Sequence, residues 1–368
     1  MDCIEKIAKE SIFLRWIFII LACLLCILLF SGCDNEKGQY TQMDINLALT
    51  ENEDAMTVYA DEREIIYIVR ERINQEIVGK TDINHSRIVV YDYVANEITE
   101  ELQVNDYKVN AISCVTPYQN GIIYINYAYA EDEIPGSKQW TIKYYDGRKT
   151  HLLKEGKTLD SFATVPMLAA VGDTPIIAYQ LSENGESTFV IEKVLNSGLV
   201  KIWKSCEYVQ TDDYIQTNGK EYCIMTHKEG NDYASLVVGN ESKVEFVYDL
   251  ENVINSFAIT KEHIVCSLGD FGQGKLLTMS IESKEKKEEE VILQFFRFAG
   301  SDDNCVLCVD SAFTPYLINA KTCKAEMINI PKSIGEARRP VGFFHIKGRK
   351  YIAWFYTHDE QKFYGLST

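Results

Sequence analysis

Short runs of β-branched and aromatic residues, broken by glycine, asparagine, aspartate and charged turns, follow one another beyond residue 40. Such runs are typical of β-strands, and little of the 3.6-residue periodicity that predicts helices is present. One strong run recurs, with the landmark residues Ile65, Ile122, Ile176, Tyr222, Ile264, Cys305 and Tyr351. The landmarks are 57, 54, 46, 42, 41 and 46 residues apart. This pattern indicates a degenerate internal repeat with a period of about 47 residues.

Each landmark run is the second of four runs in its unit. Residues 181–187 are one of the loops predicted between second and third runs, and turn signals at 146–147 and 196–198 separate third from fourth runs. The charged run 284–290 at the same junction predicts a turn and an outer edge strand. Units of four strands with a period of about 40–50 residues predict a β-propeller. We therefore expect an all-β fold, a seven-bladed β-propeller over residues 40–368. No WD dipeptide or other blade motif recurs, so the prediction concerns the architecture and not a named repeat family. Six or eight blades, or β-sandwich domains, remain as alternatives.

The last unit is one strand short, because its third run, residues 361–367, ends almost at the last residue, Thr368. The N-terminal segment 40–49 stands before the first complete unit and resembles an outer strand. We expect this segment to complete the seventh blade and to close the ring, which leaves no open sheet edge there. Strand alternation then predicts one shared face for Met43, Ile45, Leu47 and Leu49.

The first 33 residues contain the three parts of a secretory signal. Bases at Lys6, Lys9 and Arg15 precede an uncharged apolar run from Trp16 to Phe30, and small residues follow it. A membrane-spanning helix needs about 20 apolar residues, so this run is short for one. The sequence therefore predicts export, with an uncleaved signal anchor as the alternative.

The residues Leu29-Phe30-Ser31-Gly32-Cys33 resemble the lipobox of bacterial lipoproteins. The resemblance implies that residues 1–32 are removed as a signal peptide and that Cys33 receives a diacylglyceryl group. Two acyl chains, such as palmitate, anchor a protein stably, whereas one holds it only marginally. We expect a protein anchored in the cell membrane by this lipid, on the extracytoplasmic face. Residues 33–39 would be the tether of a domain over residues 40–368.

The chain carries a net charge of −17, to which residues 1–32 contribute nothing because their three acids balance three bases. A strongly acidic surface repels nucleic acid, which excludes that class of partner. Seven cysteines follow Cys33, and an odd number with irregular spacing is not a disulfide framework. We considered one bridge, between Cys206 and Cys223. Cys305 and Cys308 have CxxC spacing, but they occur in a strand-like run on opposite faces, which predicts core packing.

The sequence contains no nucleophile elbow, phosphate-binding loop or HExxH motif, so it gives no catalytic residue, no metal ligand and no cofactor. In propellers, the loops between second and third strands commonly share a face with the ligand site. This expectation is an analogy of architecture, and fold alone does not determine function. These loops are acidic here, with aromatic neighbours, which suits a cationic or carbohydrate-like ligand. The candidate ligand-face residues are Glu131, Asp132, Glu133, Glu183, Asp232, Asp270, Asp310 and Asp359.

The sequence therefore predicts a surface-anchored, monomeric, non-catalytic propeller that binds or scaffolds a protein or glycan partner. One alternative is an extracellular propeller-type glycan hydrolase or lyase. Such an enzyme would need two or three acids converging at one end of the ring, with a raised pKa for one of them. Another alternative is an accessory or sensory subunit of a membrane transporter or signalling complex.

Overall fold

The computed structural model describes residues 42–60, 63–72, 83–104, 111–129, 137–158, 164–183, 186–196, 198–228, 230, 233–251, 253–269, 274–291, 295–310, 314–328, 339–346, 349–355 and 361–365. Within these ranges the chain forms 28 β-strands and no helix. Accordingly, none of the described segments is a helix that could cross a membrane.

The strands of the described residues pair into seven antiparallel sheets of four strands each, which we number in chain order. Sheet 1 comprises β2 (Glu53–Ala60), β3 (Glu64–Arg72), β4 (Ile83–Asp92) and β5 (Glu97–Val104). Sheet 2 comprises β6 (Ala111–Tyr118), β7 (Gly121–Tyr129), β8 (Lys138–Tyr145) and β9 (Thr150–Lys157). Sheet 3 comprises β10 (Met167–Val171), β11 (Thr174–Glu183), β12 (Glu186–Leu195) and β13 (Gly198–Ser205).

In these sheets and in sheets 4 to 6 each strand pairs with the next strand of the chain, and so do the three C-terminal strands of sheet 7. Sheet 4 comprises β14 (Tyr208–Thr217), β15 (Tyr222–Lys228), β16 (Ala234–Gly239) and β17 (Val244–Asp249). Sheet 5 comprises β18 (Ile254–Ile259), β19 (His263–Leu268), β20 (Gly274–Ser280) and β21 (Lys286–Val291). Sheet 6 comprises β22 (Phe295–Ser301), β23 (Cys305–Asp310), β24 (Pro315–Asn319) and β25 (Ala325–Met327). Sheet 7 comprises β26 (Arg339–Ile346), β27 (Arg349–Phe355), β28 (Gln361–Gly365) and, at its outer edge, β1 (Gln42–Ile45).

The predicted repeat of four strands is confirmed, because every landmark residue lies in the second strand of its sheet. Second and third strands are apolar on both faces because both faces are covered, and all six residues of β16 are buried. Outer strands have one covered face, so exposure alternates along them, as it does in β5. The resulting gradient from apolar inner strands to polar outer strands is the pattern that the sequence displays.

Hydrophobic clusters join each sheet to the next in the chain, from sheets 1 and 2 to sheets 6 and 7. Between sheets 1 and 2, for example, Ile68 and Ile88 pack in one cluster with Tyr124. The first strand of each sheet also contacts the first strand of the next sheet. In the same way, β26 of sheet 7 contacts β2 of sheet 1. Burial between the sheets is therefore the main apolar contribution to the stability of the fold.

The N-terminal segment connects the last sheet with the first. Strand β1 pairs with β28, with Gln42 opposite Tyr364 and Ile45 opposite Gln361, so the pairing expected for this segment is present. Ile45 and Leu47 are buried at 1% and 3% exposure and pack on sheet 1, together with Leu49. Asn46 and Ala48 between them are exposed, as alternation predicts. The side chain of Met43 lies outside the described residues.

Each sheet has two ends, and because its strands are antiparallel, successive connections alternate between them. At one end, which we call the turn end, hairpin turns join the first strand to the second and the third to the fourth. At the other, which we call the loop end, connections join the second strand to the third and the fourth to the next sheet. Strand β1 begins at the turn end of sheet 7, because Gln42 lies opposite Tyr364 near the end of β28.

Candidate functional site

The structure describes two of the eight candidate ligand-face acids, Glu183 and Asp310. The others lie outside the described residues: Glu131, Asp132, Glu133, Asp232, Asp270 and Asp359, and the lipidation residue Cys33 lies outside them too. Both described acids are the last residues of second strands, so they do belong to the loop end.

Asp310 is 9% exposed, and its carboxylate accepts hydrogen bonds from residues at the start of the next strand. Oδ1 accepts a hydrogen bond of 2.8 Å from the Thr314 backbone N–H, and Oδ2 accepts one of 3.4 Å from the Tyr316 hydroxyl. The backbone N–H of Asp310 donates to the Thr314 carbonyl at 3.1 Å. These hydrogen bonds tie the end of β23 to Thr314 and Tyr316, a structural role for the side chain.

The connection around Glu183 is shorter than the loop 181–187 that the sequence suggested. Strand β11 continues to Glu183 and β12 starts at Glu186, with these two residues opposite each other in the ladder. The expectation of a seven-residue loop was wrong because the polar residues of this stretch still pair through their backbones, and a ladder does not require apolar side chains.

A small cavity of about 270 Å³ lies at the loop end of sheet 1. In its wall, Arg87 donates from Nε to Glu53 Oε1 at 3.0 Å and from Nη2 to Oε2 at 3.2 Å, and both side chains are largely buried. Glu53 Oε2 also accepts a bond of 2.9 Å from the backbone of Thr50. Partial burial raises the pKa of Glu53, but the hydrogen bonds from Arg87 and Thr50 outweigh burial and lower it below 4.5. The carboxylate is thus held ionised.

A larger cleft of about 710 Å³ opens at the turn ends of sheets 4, 5 and 6. Its floor includes Phe246 on the outer strand of sheet 4 and the buried Ile281 of sheet 5. Lys284 crosses this floor, with Nζ 3.2 Å from the centre of the Phe246 ring and donating to the Ile281 carbonyl. Partial burial lowers the pKa of Lys284. This contact is a cation–π interaction that joins two sheets.

Charged residues of both signs line the mouth of this cleft. They come from the first turn of sheet 4, both turns of sheet 5 and the last turn of sheet 6: Lys220, Glu221, Lys261, Glu262, Glu282, Lys284, Glu285 and Lys321. His263 lies at the same place, half-buried, and burial lowers its pKa below 6.5, an effect to which Lys321 adds. The cleft therefore holds a neutral imidazole among charges at neutral pH.

Two glutamates of the cleft are oriented by amide groups. Asn240 Nδ2 donates to Glu245 Oε1 at 2.7 Å, and Lys243 lies 3.0 Å from Oε2 of the same carboxylate. Asn218 Nδ2 donates to Glu221 Oε2 at 3.1 Å and to the Thr260 carbonyl of the next sheet at 2.9 Å. Hydrogen bonds of this kind fix the walls of the cleft before any ligand arrives.

Sequence reasoning placed its candidate residues at the loop end and missed this cleft. A signal was present, because the dipeptide Lys-Glu recurs at three turns: Lys220-Glu221, Lys261-Glu262 and Lys284-Glu285. Each dipeptide taken alone is an ordinary polar turn. Their convergence depends on how sheets 4 and 5 stand beside each other, which a local pattern does not reveal.

The cysteines form no bridge within the described residues, so the pairing considered for Cys206 and Cys223 was wrong. Cys223 is buried between sheets 4 and 5, whereas Cys206 is exposed in the connection from sheet 3 to sheet 4. Burial raises the pKa of the thiols of Cys223 and Cys308, and it raises that of Cys266 to about 12. These three buried thiols are apolar core groups. Among the described residues, no three His, Cys, Asp or Glu side chains are arranged to hold a metal ion.

No protein-family model and no curated protein matches the chain. Among solved structures, the chain is similar to YCF48 bound to D1 peptide, with a TM-score of 0.55 and 10% identity over 90% of this chain and 98% of that one. It is also similar to a prolyl endopeptidase, with a TM-score of 0.53 and 11% identity over 82% of this chain. A third similar structure is Raptor of Chaetomium thermophilum, with a TM-score of 0.50 and 10% identity over 86% of this chain.

The chain spans 45% of the prolyl endopeptidase chain and 28% of the Raptor chain. At these identities the likeness concerns the fold alone. Together with the four-stranded antiparallel sheets, it shows an all-β fold with β-propeller structural neighbours.

Proposed function

We propose that the chain is a non-catalytic, seven-bladed β-propeller, closed by its N-terminal strand, that binds a protein or glycan partner. Three observations support the closed ring: clusters between consecutive sheets, the contact between β26 and β2, and the pairing of β1 with β28. Closure covers the apolar sheet faces that a row of sheets would otherwise expose at its two ends.

The binding function rests on the likeness to YCF48, which extends over 90% of this chain and 98% of that one. That structure is described as bound to a peptide. We assign the partner surface to the loop end, where the sequence predicts the candidate acids. Glycan and protein partners both use such a surface of polar and aromatic side chains.

We also propose that a lipid on Cys33 holds the protein at the extracytoplasmic face of the membrane, on the strength of the lipobox-like residues 29–33. The direction of β1 adds an orientation to this proposal. Because β1 starts at the turn end, the chain that precedes Gln42 leaves from that end. Residues 33–41 can reach at most about 30 Å, since an extended chain spans roughly 3.3–3.6 Å per residue. The loop end then points away from the membrane, towards a partner.

Photo-crosslinking in intact cells tests this proposal. A photoreactive residue replaces Val253, which is 49% exposed at the loop end, or, as the matched control, Val94, which is 59% exposed at the turn end. We expect a crosslinked species from position 253 and none from position 94, and its mass distinguishes a protein from a glycan. Crosslinks from position 94 alone, or from neither position, would contradict a partner at the loop end.

The anchor is tested separately with Cys33→Ala in the same cells. We expect the variant to keep its signal peptide or to leave the membrane fraction, because the thiol that accepts the lipid is gone. A variant of unchanged processed mass in the membrane fraction refutes the lipid anchor, and it leaves the binding proposal standing.

A further inference from the structure

The cleft at the turn ends of sheets 4, 5 and 6 has a repeated chemistry. Three of its turns contribute a Lys-Glu dipeptide each, at 220–221, 261–262 and 284–285. The lysine and the glutamate form no ion pair within any of these three dipeptides, all of which the structure describes. The cleft therefore presents separate positive and negative groups along its length.

Most of these charges have no ion-pair partner. Among the described residues, no carboxylate pairs with the lysines at the mouth, Lys220, Lys261 and Lys321. In the same part of the chain, no base pairs with the glutamates Glu262, Glu282 and Glu285. Three unpaired ammonium groups at one cleft are unexpected in a chain of net charge −17, in which acids are in excess.

The floor of the cleft is apolar where Phe246 and Ile281 lie, and it is preorganised by Lys284. The volume of about 710 Å³ is within the range of roughly 300–1,000 Å³ that ligand sites occupy. An apolar floor beneath a polar rim with fixed hydrogen-bonding groups is the usual composition of such sites. The cleft has the size and the chemistry of a binding site.

We propose that this cleft binds a peptide segment that carries both acidic and basic side chains. A ligand with anions alone would meet Glu262, Glu282 and Glu285, and a ligand with cations alone would meet the lysines. A single zwitterionic head group would pair with one lysine and one glutamate and leave the other unpaired charges of the mouth. A peptide with alternating charges pairs with all of them, because like charges are kept apart and opposite charges meet.

This site lies at the opposite end of the sheets from the partner surface proposed above. It goes beyond that function, and either site can exist without the other. If a partner binds at each end of the sheets, the chain connects the two partners.

Fluorescence anisotropy with residues 34–368 tests the proposal. The probes are labelled octapeptides of alternating Glu and Lys, of Glu alone and of Lys alone, at low ionic strength of roughly 20 mM, where exposed charges are little screened. We expect the alternating peptide to bind at least about tenfold more tightly than either other peptide, equivalent to roughly 1.4 kcal/mol.

Two variants divide the site by charge: K220Q/K261Q/K321Q and E262Q/E282Q/E285Q. Each should weaken binding of the alternating peptide about tenfold or more. The matched control K149Q/K201Q/K275Q removes three exposed lysines, two on sheets 2 and 3 and one at the loop end of sheet 5, and should leave binding unchanged. Preference for the all-Glu or all-Lys peptide, loss with only one of the two cleft variants, equal loss with the control, or no binding at all would each overturn the proposal.

Discussion

Asparagine and aspartate side chains close many of the hairpins at the turn end. Asp146 Oδ1 accepts hydrogen bonds from the backbone N–H groups of Arg148 at 2.9 Å and Lys149 at 2.7 Å. Asn240 and Asn319 accept from the residues two and three positions later in the same way. These side chains supply the partners that turning backbone would otherwise lack. The polar residue at the end of the third strand is thus a folding signal in sheets 2, 4 and 6.

Residues in the left-handed conformation complete several of these turns. In sheets 1, 2 and 3 the turn between the third and fourth strands contains Asn96, Gly147 and Asn196 respectively, with φ of 61°, 86° and 51°. Asparagine and glycine tolerate this region better than other residues. The turn signals at 146–147 and 196–198 therefore predicted both hairpins for a physical reason that the structure confirms.

A third effect of a single residue concerns pH, because Glu53 should make the free energy of unfolding depend on it. Its pKa is lowered on folding, so its contribution is complete above about pH 4.5 and declines as the pH falls towards the lower folded pKa. We expect Glu53→Gln to lose about 1.5–3 kcal/mol of unfolding free energy at neutral pH, the range for hydrogen bonds to charged groups. The loss should shrink at about pH 3.5, because Glu53 of the unfolded chain is protonated below its ordinary pKa of 4.5. Urea unfolding at the two pH values measures both.

Glu101→Gln is the control for that comparison. Glu101 lies 3.3 Å from Nη1 of the same arginine, Arg87, but it is 41% exposed. Exposed pairs contribute about 0–1 kcal/mol, so this variant should remain close to wild type at both pH values. An equal loss in the two variants, or a Glu53→Gln loss that is the same at both pH values, would show that the pair with Glu53 is not the responsible interaction.

Among the elements, the outer strand β9 approaches its neighbour closely at one residue. Gly156 lies opposite Trp140, which is 1% exposed, and a Cβ atom at 156 would overlap the indole ring. The ring covers the glycine and packs against Tyr179 of sheet 3 at 5.7 Å between centroids. The absence of a side chain on an outer strand thus permits a large aromatic contact between two sheets.

We expect Gly156→Ala to destabilise the fold by about 1–3 kcal/mol, because the buried indole must shift to admit the methyl group. Thermal unfolding measures the change. Gly198→Ala, at the start of the outer strand β13, is the matched control, since its Cβ would be 3.6 Å from the nearest atom, the Leu195 carbonyl oxygen. A wild-type melting temperature for Gly156→Ala, or the same decrease in both variants, would contradict this account.

The strands were predictable from the sequence, and the reason is visible in individual elements. Strand β3 and its equivalents are buried on both faces, and an apolar run such as 65–69 has few other stable environments in a soluble domain. The charged run 284–290 was predicted as a turn and an edge strand, and β21 lies there. Charge on an edge strand prevents pairing with other chains. A charged run of this kind therefore predicts an edge strand from the local sequence alone.

The cleft was not predictable by the same reasoning. Its charged residues extend from Lys220 to Lys321 and come from three sheets, each of which satisfies its own local pattern. The expected loop 181–187 failed for a related reason, because backbone pairing extended β11 and β12 through polar residues. Local alternation predicts which side chains are buried, whereas the grouping of exposed residues depends on the packing of whole sheets.

For the whole molecule, the proposed closure of the ring depends on the N-terminal segment. We compare a chain that starts at residue 42, which keeps β1, with a chain that starts at residue 51. The shorter chain loses the ladder of β1 with β28 and the burial of Ile45 and Leu47. Burial contributes about 1.5–3 kcal/mol for each such side chain and each ladder bond about 0.5–1.5 kcal/mol. The sum approaches the stability of an ordinary domain, about 5–15 kcal/mol, so the shorter chain should melt much lower or aggregate.

Addition of the missing segment as a separate molecule distinguishes closure from a general effect of truncation. A synthetic peptide of residues 40–50 should raise the melting temperature of the shorter chain in a concentration-dependent way, because a ligand that binds the folded state stabilises it. The same peptide with Ile45→Asp and Leu47→Asp should have no effect, since its apolar face on sheet 1 is lost. If both truncated chains melt at the same temperature, β1 is dispensable and the ring does not depend on it. If the aspartate peptide rescues equally well, the pairing with β28 acts without the contact to sheet 1, and the segment joins only one of the two sheets.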